Sequence, residues 1–451
     1  MTTIIVCAFC LGYLLIALEN VTKINKAAIA LIMCVVCWCL YAVAGIEGIS
    51  GLGLNQTIEK NLGEAGTTLF FLMGAMTIVE VVDQYGGFNF VRGVLYSKSK
   101  GALLWKIGFM TLILSAVLDN LTTSIVMIMI LRKLVSDKRD RIWYASMVII
   151  AANAGGAFSP IGDVTTIMIW NGGMITASGV IREIFIPSLL AFVVPALIVQ
   201  RKLKGALPAV TPSNSYKGGK TPLSYEGQGA ASTWQRNLIF FIGVGGLCTV
   251  PVYHNLTDLP AFMGILLVLG MLWFVTEILN WKKGEHDATA KRISRLLSRI
   301  DMTTILFFLG ILMSVAVLSE TGVLHAVGEW LEETVGNCYL VTGAIGVLSS
   351  IVDNVPLVAG AMKMYSIPTA EMITADPELA QYAVDGVFWQ LLSYCAGVGG
   401  SMLIIGSAAG VVVMGLENIS FGWYMRNISP LAFAGYLCGI VAYYLQNLIL
   451  M

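Results

Sequence analysis

Residues 151–166 read Ala151-Ala152-Asn153-Ala154-Gly155-Gly156-Ala157-Phe158-Ser159-Pro160-Ile161-Gly162-Asp163-Val164-Thr165-Thr166, with apolar runs at 144–150 before them and 167–170 after. Two adjacent glycines, a proline and a third glycine in so short a stretch do not support a continuous helix. The flanks are apolar enough for a membrane-spanning segment, so the reading is a span broken near its middle. Unwound backbone at membrane depth is tolerated only where it lines a cavity. Its carbonyls, the Asp163 carboxylate and the hydroxyls of Thr165 and Thr166 are hard oxygen ligands.

The rest of the chain agrees with a membrane setting. Of 451 residues, 57% are hydrophobic and 12% charged. A soluble domain carries roughly 25% charged residues, so an ordinary cytosolic enzyme is excluded. Basic and acidic residues balance at 27 each, which gives no electrostatic footprint for nucleic acid or a polybasic membrane anchor. Apolar runs such as 27–45 and 430–450 reach the roughly 20 residues a spanning helix needs. They are continuous rather than alternating, which excludes a β-barrel. The first 18 residues lack the basic stretch of a secretory signal and read as a retained first span. Cys34, Cys37 and Cys39 include a C-x-x-C spacing, but no His or acid lies beside them, and they read as small apolar residues of a helix.

Polar breaks sort by charge. Those at 20–26, 92–106, 132–141, 201–235 and 282–299 carry Lys and Arg and are assigned to the cytoplasm. Those at 47–64, 171–183, 253–259, 320–337 and 363–385 are poor in both and are assigned outside. Two apolar segments then have the same side at both ends, about 101–131 and about 338–367. Each is long enough to reach the bilayer middle and return, so both read as re-entrant helical hairpins. The count is five full spans and one hairpin on either side of the segment 201–235.

The two halves match in sequence. Glu64-x-x-Thr67-x-Leu69-Phe70-Phe71-Leu72 recurs as Asp301-x-x-Thr304-x-Leu306-Phe307-Phe308-Leu309, an offset of 237 (301 − 64). Ser115-x-x-x-Asp119-Asn120 recurs as Ser349-x-x-x-Asp353-Asn354, an offset of 234 (349 − 115). Gly155-Gly156-x-x-x-x-Ile161-Gly162-Asp163 recurs as Gly399-Gly400-x-x-x-x-Ile405-Gly406-Ser407, an offset of 244 (399 − 155). Duplication of an odd number of spans inverts the second copy, the signature of many secondary transporters. The predicted fold is an all-α polytopic membrane protein of two inverted repeats of five spans each, each with a re-entrant hairpin and a broken helix. Residues 1–200 form the first repeat, with its hairpin at about 101–131 and broken span at about 143–170. Residues 201–235 are a cytoplasmic linker. Residues 236–451 form the second repeat, with its hairpin at about 338–367 and broken span at about 386–415.

An Asp-Asn pair falls near the middle of each hairpin, Asp119-Asn120 and Asp353-Asn354. An ionised Asp at the bilayer centre costs roughly 2.5–3.5 kcal/mol on insertion scales, so such residues face cavities and serve function. Pro356 suits a hairpin tip. The second broken span offers Ser393, Ser401 and Ser407 but no carboxylate. Carboxylate, amide and hydroxyl oxygens suit a small hard cation, and a buried carboxyl can hold a proton instead. The candidate cation- and proton-binding set is Asp119, Asn120, Asn153, Asp163, Thr165, Thr166, Asp353, Asn354 and Ser407, with Na⁺ expected at Asp119, Asp163 and Asp353. Asp119, Asp353 and Asp163 also have capping readings. Glu64 and Asp301 occupy matching span starts and are candidates for ion access or proton transfer, or simply first-turn acids.

At Leu118-Asp119-Asn120-Leu121-Thr122-Thr123-Ser124, at 153–166 and at Asp353-Asn354-Val355-Pro356-Leu357, the chain resembles the NhaD-type sodium/proton antiporters of the ion transporter superfamily. The resemblance covers most of the chain. It implies exchange of Na⁺ or Li⁺ for H⁺ with no other cofactor, a homodimer, and one domain that carries the ion against a fixed scaffold. Of the residues here, Asp119, Asn153, Asp163, Thr165, Thr166, Asp353 and Asn354 match that family's ion-site motifs. An anion carrier (arsenite or dicarboxylate) on the same scaffold is the competing reading. The dicarboxylate branch has Ser-Asn-Thr at its hairpin tips where this chain has Asp, which argues for a cation. An intramembrane aspartyl protease is a distant third, since Pro160-x-Gly162-Asp163 matches its motif only in part. A bacterial inner membrane with the N-terminus outside is expected.

Overall fold

In order, the helices are α1 (Thr2–Ala17), α2 (Lys26–Ala44), α3 (Leu54–Gln84), α4 (Lys100–Ser115), α5 (Asn120–Leu134), α6 (Lys138–Ala157), α7 (Val164–Asn171), α8 (Ala177–Gln200), α9 (Thr233–Thr257), α10 (Ala261–Trp281), α11 (Met302–Glu320), α12 (Val323–Val335), α13 (Cys338–Ser349), α14 (Asn354–Met364), α15 (Ala370–Ala375), α16 (Val387–Gly399), α17 (Ala408–Glu417), α18 (Phe421–Asn427) and α19 (Ser429–Leu450). The computed structural model describes residues 1–17, 22, 24–45, 48, 51–88, 91, 94–95, 97, 99–207, 232–281, 297, 300–351 and 354–450. Asp353, most of the segment 201–235 and most of 282–299 lie outside them. Among the described residues there is no strand, only one isolated bridge between Ser99 and Ala206.

Seven helices are long and apolar enough to cross a membrane: α2, α3, α8, α9, α10, α11 and α19. Their ends carry local signals. Asn25 caps α2 through the amide of Ala27, and Gly45 closes it in the left-handed region at φ 58°. Thr176 caps α8 through Gly179. Ser232 and Gln235 form a reciprocal capping box at the start of α9. That helix contains a π-turn at Phe241–Gly245.

The paired helices are shorter. With 16 and 15 residues, α4 and α5 are about 24 and 22 Å long; with 12 and 11, α13 and α14 reach about 18 and 16 Å. A bilayer core is roughly 30 Å thick, so none of these arms crosses it alone. Two helices are interrupted at the glycine-rich stretches. Helix α6 stops at Ala157 and α7 begins at Val164; α16 stops at Gly399 and α17 begins at Ala408.

The two broken spans form the centre. Helix α4 packs on α6, α13 on α16, and α5 lies between α6 and α17. Helix α8 runs along α19 and also touches α6 and α16. Helices α2, α3, α9, α10 and α11 gather to one side, joined to the centre through α11 on α14 and α3 on α7. Lipid tails are as apolar as leucine, so association rests on close packing of small residues. A Cβ on Gly155 would collide with the carbonyl of Leu112 in α4, and one on Gly399 with the carbonyl of Gly346 in α13. These are the backbone approaches that fix each hairpin against its broken span.

Breaks of like charge character lie near one another. At one end Ser99 bridges Ala206, the Lys100 amide donates to Gly205, and Tyr144 Oη donates to the Lys100 carbonyl at 2.8 Å. Lys100 also pairs with Asp140 at 2.6 Å, so three of the basic breaks meet there. At the other end the Asp385 amide donates to the Met174 carbonyl at 2.9 Å, bringing together two breaks poor in Lys and Arg.

Two boundaries differ from the sequence reading. Residues 320–337 were expected as loop but contain α12, an amphipathic helix with Gly322 and Gly336 at its ends. Its apolar face is too narrow for a span, and its polar face masked it as loop. Helix α3 starts at Leu54, so Glu64 lies well inside the helix rather than at its first turn. Residues 54–63 contain no proline to stop the helix from extending backwards.

Candidate functional site

Asp163 stands at the junction between the first break and α7, in extended backbone (φ −146°, ψ 146°). That position invites capping, but its carboxylate makes no capping bond to α7. It is 2% exposed and receives other donors. Thr165 Oγ1 donates to Oδ2 at 2.9 Å, Asn120 Nδ2 to Oδ1 at 3.3 Å, and Asn354 Nδ2 to Oδ2 at 3.3 Å. Asn120 is the first residue of α5 and Asn354 the first of α14. One carboxylate is thus held by the tips of both hairpins, whose asparagines are remote in sequence.

Asn153 extends the network. Its Oδ1 accepts from Asn120 Nδ2 at 3.1 Å, and its Nδ2 donates to Ser401 Oγ at 2.9 Å and Ser407 Oγ at 3.1 Å. Thr166 Oγ1 lies 3.0 Å from Ser393 Oγ, which donates to the Ala157 carbonyl at 2.9 Å. Asn153, Thr165, Thr166 and Ser393 are fully buried, and Ser401 and Ser407 nearly so. The hydroxyls of Thr123 and Ser124 are also buried, and among the described residues they have no partner. They lie three and four positions after Asn120, on the same side of α5.

Four helix starts meet in this region, those of α5, α7, α14 and α17, together with four helix ends, those of α4, α6, α13 and α16. The starts carry free N–H groups and partial positive charge, and the ends carry free carbonyls. Backbone thus offers both donors and acceptors here. Among the described residues the buried charged side chains are Arg141, Asp163, Glu320 and Glu417. Arg141 is bonded to Glu417, far down α6. The site is acidic and rich in oxygen.

The remaining predicted residues are placed as follows. Asp119 is strained, at φ 126°, and its carboxylate accepts from Thr122 N at 2.8 Å and Thr122 Oγ1 at 2.7 Å. It caps α5, and its neighbour Asn120 is the residue that reaches Asp163. Asp353 lies outside the described residues. Glu64 pairs with Lys363 at 2.7 Å, joining α3 to α14 on partly exposed side chains. Asp301 caps α11, accepting from Thr303 N at 3.1 Å and Thr304 N at 3.2 Å. The matched acids Glu64 and Asp301 therefore do different things, and neither joins the Asp163 network.

These positions can be set beside known proteins. The family profile described as "CitMHS: Citrate transporter" matches residues 13–384. Sodium/proton antiporter 2 of Arabidopsis thaliana is 41% identical over 439 residues, covering 96% of this chain and 97% of that protein. The Na(+)/H(+) antiporter NhaD of Vibrio parahaemolyticus is 31% identical over 391 residues, covering 81% and 86%. The chain belongs to this transporter family, on its NhaD-type sodium/proton antiporter branch. It is an integral, multi-pass membrane transporter and not an enzyme. Among solved structures, the YdaH transporter of Alcanivorax borkumensis shares the fold of this NhaD-type chain, with a TM-score of 0.59 at 15% identity over 93% of this chain and 98% of that one.

Two hydroxyls that the NhaD-type motifs do not single out are at the site, Ser393 and Ser401. Ser401 stands in the glycine-rich run of the second half and Ser393 just before it. What identifies them is their place beside a helix break rather than any motif. Arg132, Arg141 and Glu417 were visible only as loop and helix-end charges, and their association spans too much sequence to be read.

Proposed function

We propose that the chain exchanges Na⁺ or Li⁺ for H⁺ across the membrane, with Asp163 as the group at which cation and proton compete. The observation that carries this reading is the buried Asp163 carboxylate held between Asn120 and Asn354, one from each hairpin tip. Deprotonated, it offers oxygen ligands together with the side-chain oxygens of Asn120, Asn153 and Asn354, the hydroxyls of Thr165, Thr166 and Ser407, and the carbonyls of the broken helices. Protonated, it donates where the cation sat. One occupant excludes the other, the simplest physical basis of exchange. Asp119 and Asp353 belong to the same proposal as the acids beside the two asparagines, and Glu64 and Asp301 as acids on the way in or out. No cofactor beyond the transported ions is invoked.

We read the two halves, 1–200 and 236–451, as inverted repeats joined by a cytoplasmic linker, with hairpins at about 101–131 and 338–367 that enter and leave on one side. Short arms and recurring contacts support this. Homodimer assembly, a bacterial inner membrane and an external N-terminus complete the proposal. The antiporter names of the relatives support the exchange.

The citrate description of the family profile favours a second reading, an anion carrier on the same scaffold. The acidic site speaks against it, since an anion asks for Lys, Arg or bare helix starts without a carboxylate among them. Everted vesicles decide between the two. Proton release driven by added Na⁺ or Li⁺, with no response to citrate, succinate or arsenite, is expected. Full Na⁺-driven release by Asp163→Asn would remove the carboxylate from the mechanism.

A further inference from the structure

We infer that Glu417 is a positioning residue for the ion site, tying together the outer ends of three helices whose inner ends carry Asn120, Asn153 and Ser407. The inference rests on the ion-site reading above. Glu417 ends α17, and its side chain is fully buried. Arg132 Nε, near the end of α5, donates to its Oε1 at 2.7 Å, and Arg141 Nε, in the first turn of α6, donates to its Oε2 at 2.7 Å. Arg132 Nη2 also donates to the Leu416 carbonyl. Arg141 Nη1 also donates to the carbonyls of Val135 and Ser136, at 3.1 and 3.4 Å, in the turn between α5 and α6. Two guanidiniums from different helices thus share one carboxylate, each through a separate oxygen.

The same three helices are joined again at their other ends. Asn120 of α5 bonds Asn153 of α6, and Asn153 bonds Ser407, the cap of α17. Along the helix axes, Arg132 lies about 18 Å from Asn120, Arg141 about 18 Å from Asn153, and Glu417 about 15 Å from Ser407. Three rods of nearly equal length are fastened at both ends and packed along their sides. In a closed frame of this kind the outer knot sets the inner spacing. A helix is stiff, so loss of the knot lets each rod tilt about its inner contact and moves Asn120 and Ser407 relative to Asn153. Glu417 stands about 15 Å from Ser407 along α17, so it acts on the site through those inner ends.

The test uses the full chain in everted vesicles and in detergent, with Glu417→Gln and Glu417→Asp. An amide has one acceptor oxygen, so Gln serves one arginine and turns a donor toward the other; Asp keeps both oxygens on a shorter stem. The expected result for Gln is a rise of about tenfold in the Na⁺ concentration giving half-maximal proton release, with a smaller loss of maximal rate per folded molecule, and an intermediate value for Asp. Backbone hydrogen exchange of the same variants is expected to quicken in α5 and α17 together. An unchanged half-saturation in correctly inserted Gln protein overturns the positioning role, and so does faster exchange confined to α17. If Glu417→Gln fails to accumulate, Arg132→Lys removes one link and carries both readouts with the same expectations. A wild-type chain that releases no protons with Na⁺ would sink the ion-site reading itself, while the exchange pattern still decides whether the three helices are tied.

Discussion

Ser115 Oγ donates to the carbonyl of Ala152, and Ser349 Oγ to that of Ala396. Gly155 abuts the carbonyl of Leu112, and Gly399 that of Gly346. Gly162 lies against the Ser115 carbonyl, and Gly406 against that of Ser350. The two broken spans and their hairpins meet the same steric demands with the same residue types, at matching positions in the first two pairs and one residue along the hairpin in the third. They diverge at the polar side chains: Asn153 matches Gly397, Thr165 matches Ala409, Thr166 matches Gly410 and, above all, Asp163 matches Ser407. The residue that opens the outgoing half-helix is Asp163 in the first span and Ser407 in the second. Ser407 spends its oxygen on capping, accepting from Gly410 N at 3.1 Å. Asp163 leaves α7 uncapped and turns its carboxylate to both hairpin tips. Shared scaffolding and unshared chemistry are separable in this molecule, the first kept in duplicate and the second in one copy.

Substitutions can probe that separation. The largest effect is expected at Asp163. Asp163→Ser makes the first span resemble the second and is expected to lower Na⁺-driven proton release about a hundredfold or more, since it removes the charge that the donors address. Ser407→Ala is expected to cost only a few-fold. Equal losses, measured as initial rates in everted vesicles, would break the comparison.

Next come the glycines. Gly155→Ala and Gly399→Ala each force a methyl against a backbone carbonyl that cannot rotate away, and each is expected to destabilise the fold by about 1–3 kcal/mol. Matching falls in Tm for the purified variants would sharpen the claim of equivalent scaffolding. A large fall in one and none in the other would contradict it.

A gentler change adds charge to the second span. Ser407→Asp keeps a capping oxygen and places a second carboxylate across Asn153 from Asp163. Like charges favour protonation of one of them, so the cation competes less well until protons are scarcer. The pH profile of exchange is expected to move to higher pH. A shift to lower pH would mean that the added charge does not sense Asp163.

Smallest of all are Ser115→Ala and Ser349→Ala. Each removes one hydroxyl bond to a carbonyl, worth about 1 kcal/mol, and the two are expected to agree within error in chemical unfolding of the detergent-solubilised protein.

The sequence discloses most of the scaffold because the lipid makes polar residues conspicuous. Asp163, Asn120, Asn153 and Asn354 stand out in apolar runs, and glycines around 155 and 399 mark the breaks. Their meeting was legible because each half presents the same pattern. The use of each acid was not. Asp119 and Asp163 both look like caps or ligands by residue type; only backbone direction sends one carboxylate to Thr122 and the other to the asparagines. Glu64 and Asp301 match in sequence, yet one helix extends past its acid while the other begins there. Glu417 was hidden for a different reason. A lone acid at the end of an apolar run reads as an ordinary helix terminus, and its arginines come from the other half of the chain. Helix α12 was lost because an amphipathic segment between spans has the composition of a loop.

The helix termini gathered around the two breaks have one more consequence. Peptide dipoles have no proton to lose. A lysine or arginine counter-ion would add its own basicity and compete with the cargo for the carboxylate, whereas oriented amides and carbonyls present the same field in acid and in alkali. Whatever pH does inside this pocket, it does through the carboxyl groups themselves and through what is bound to them.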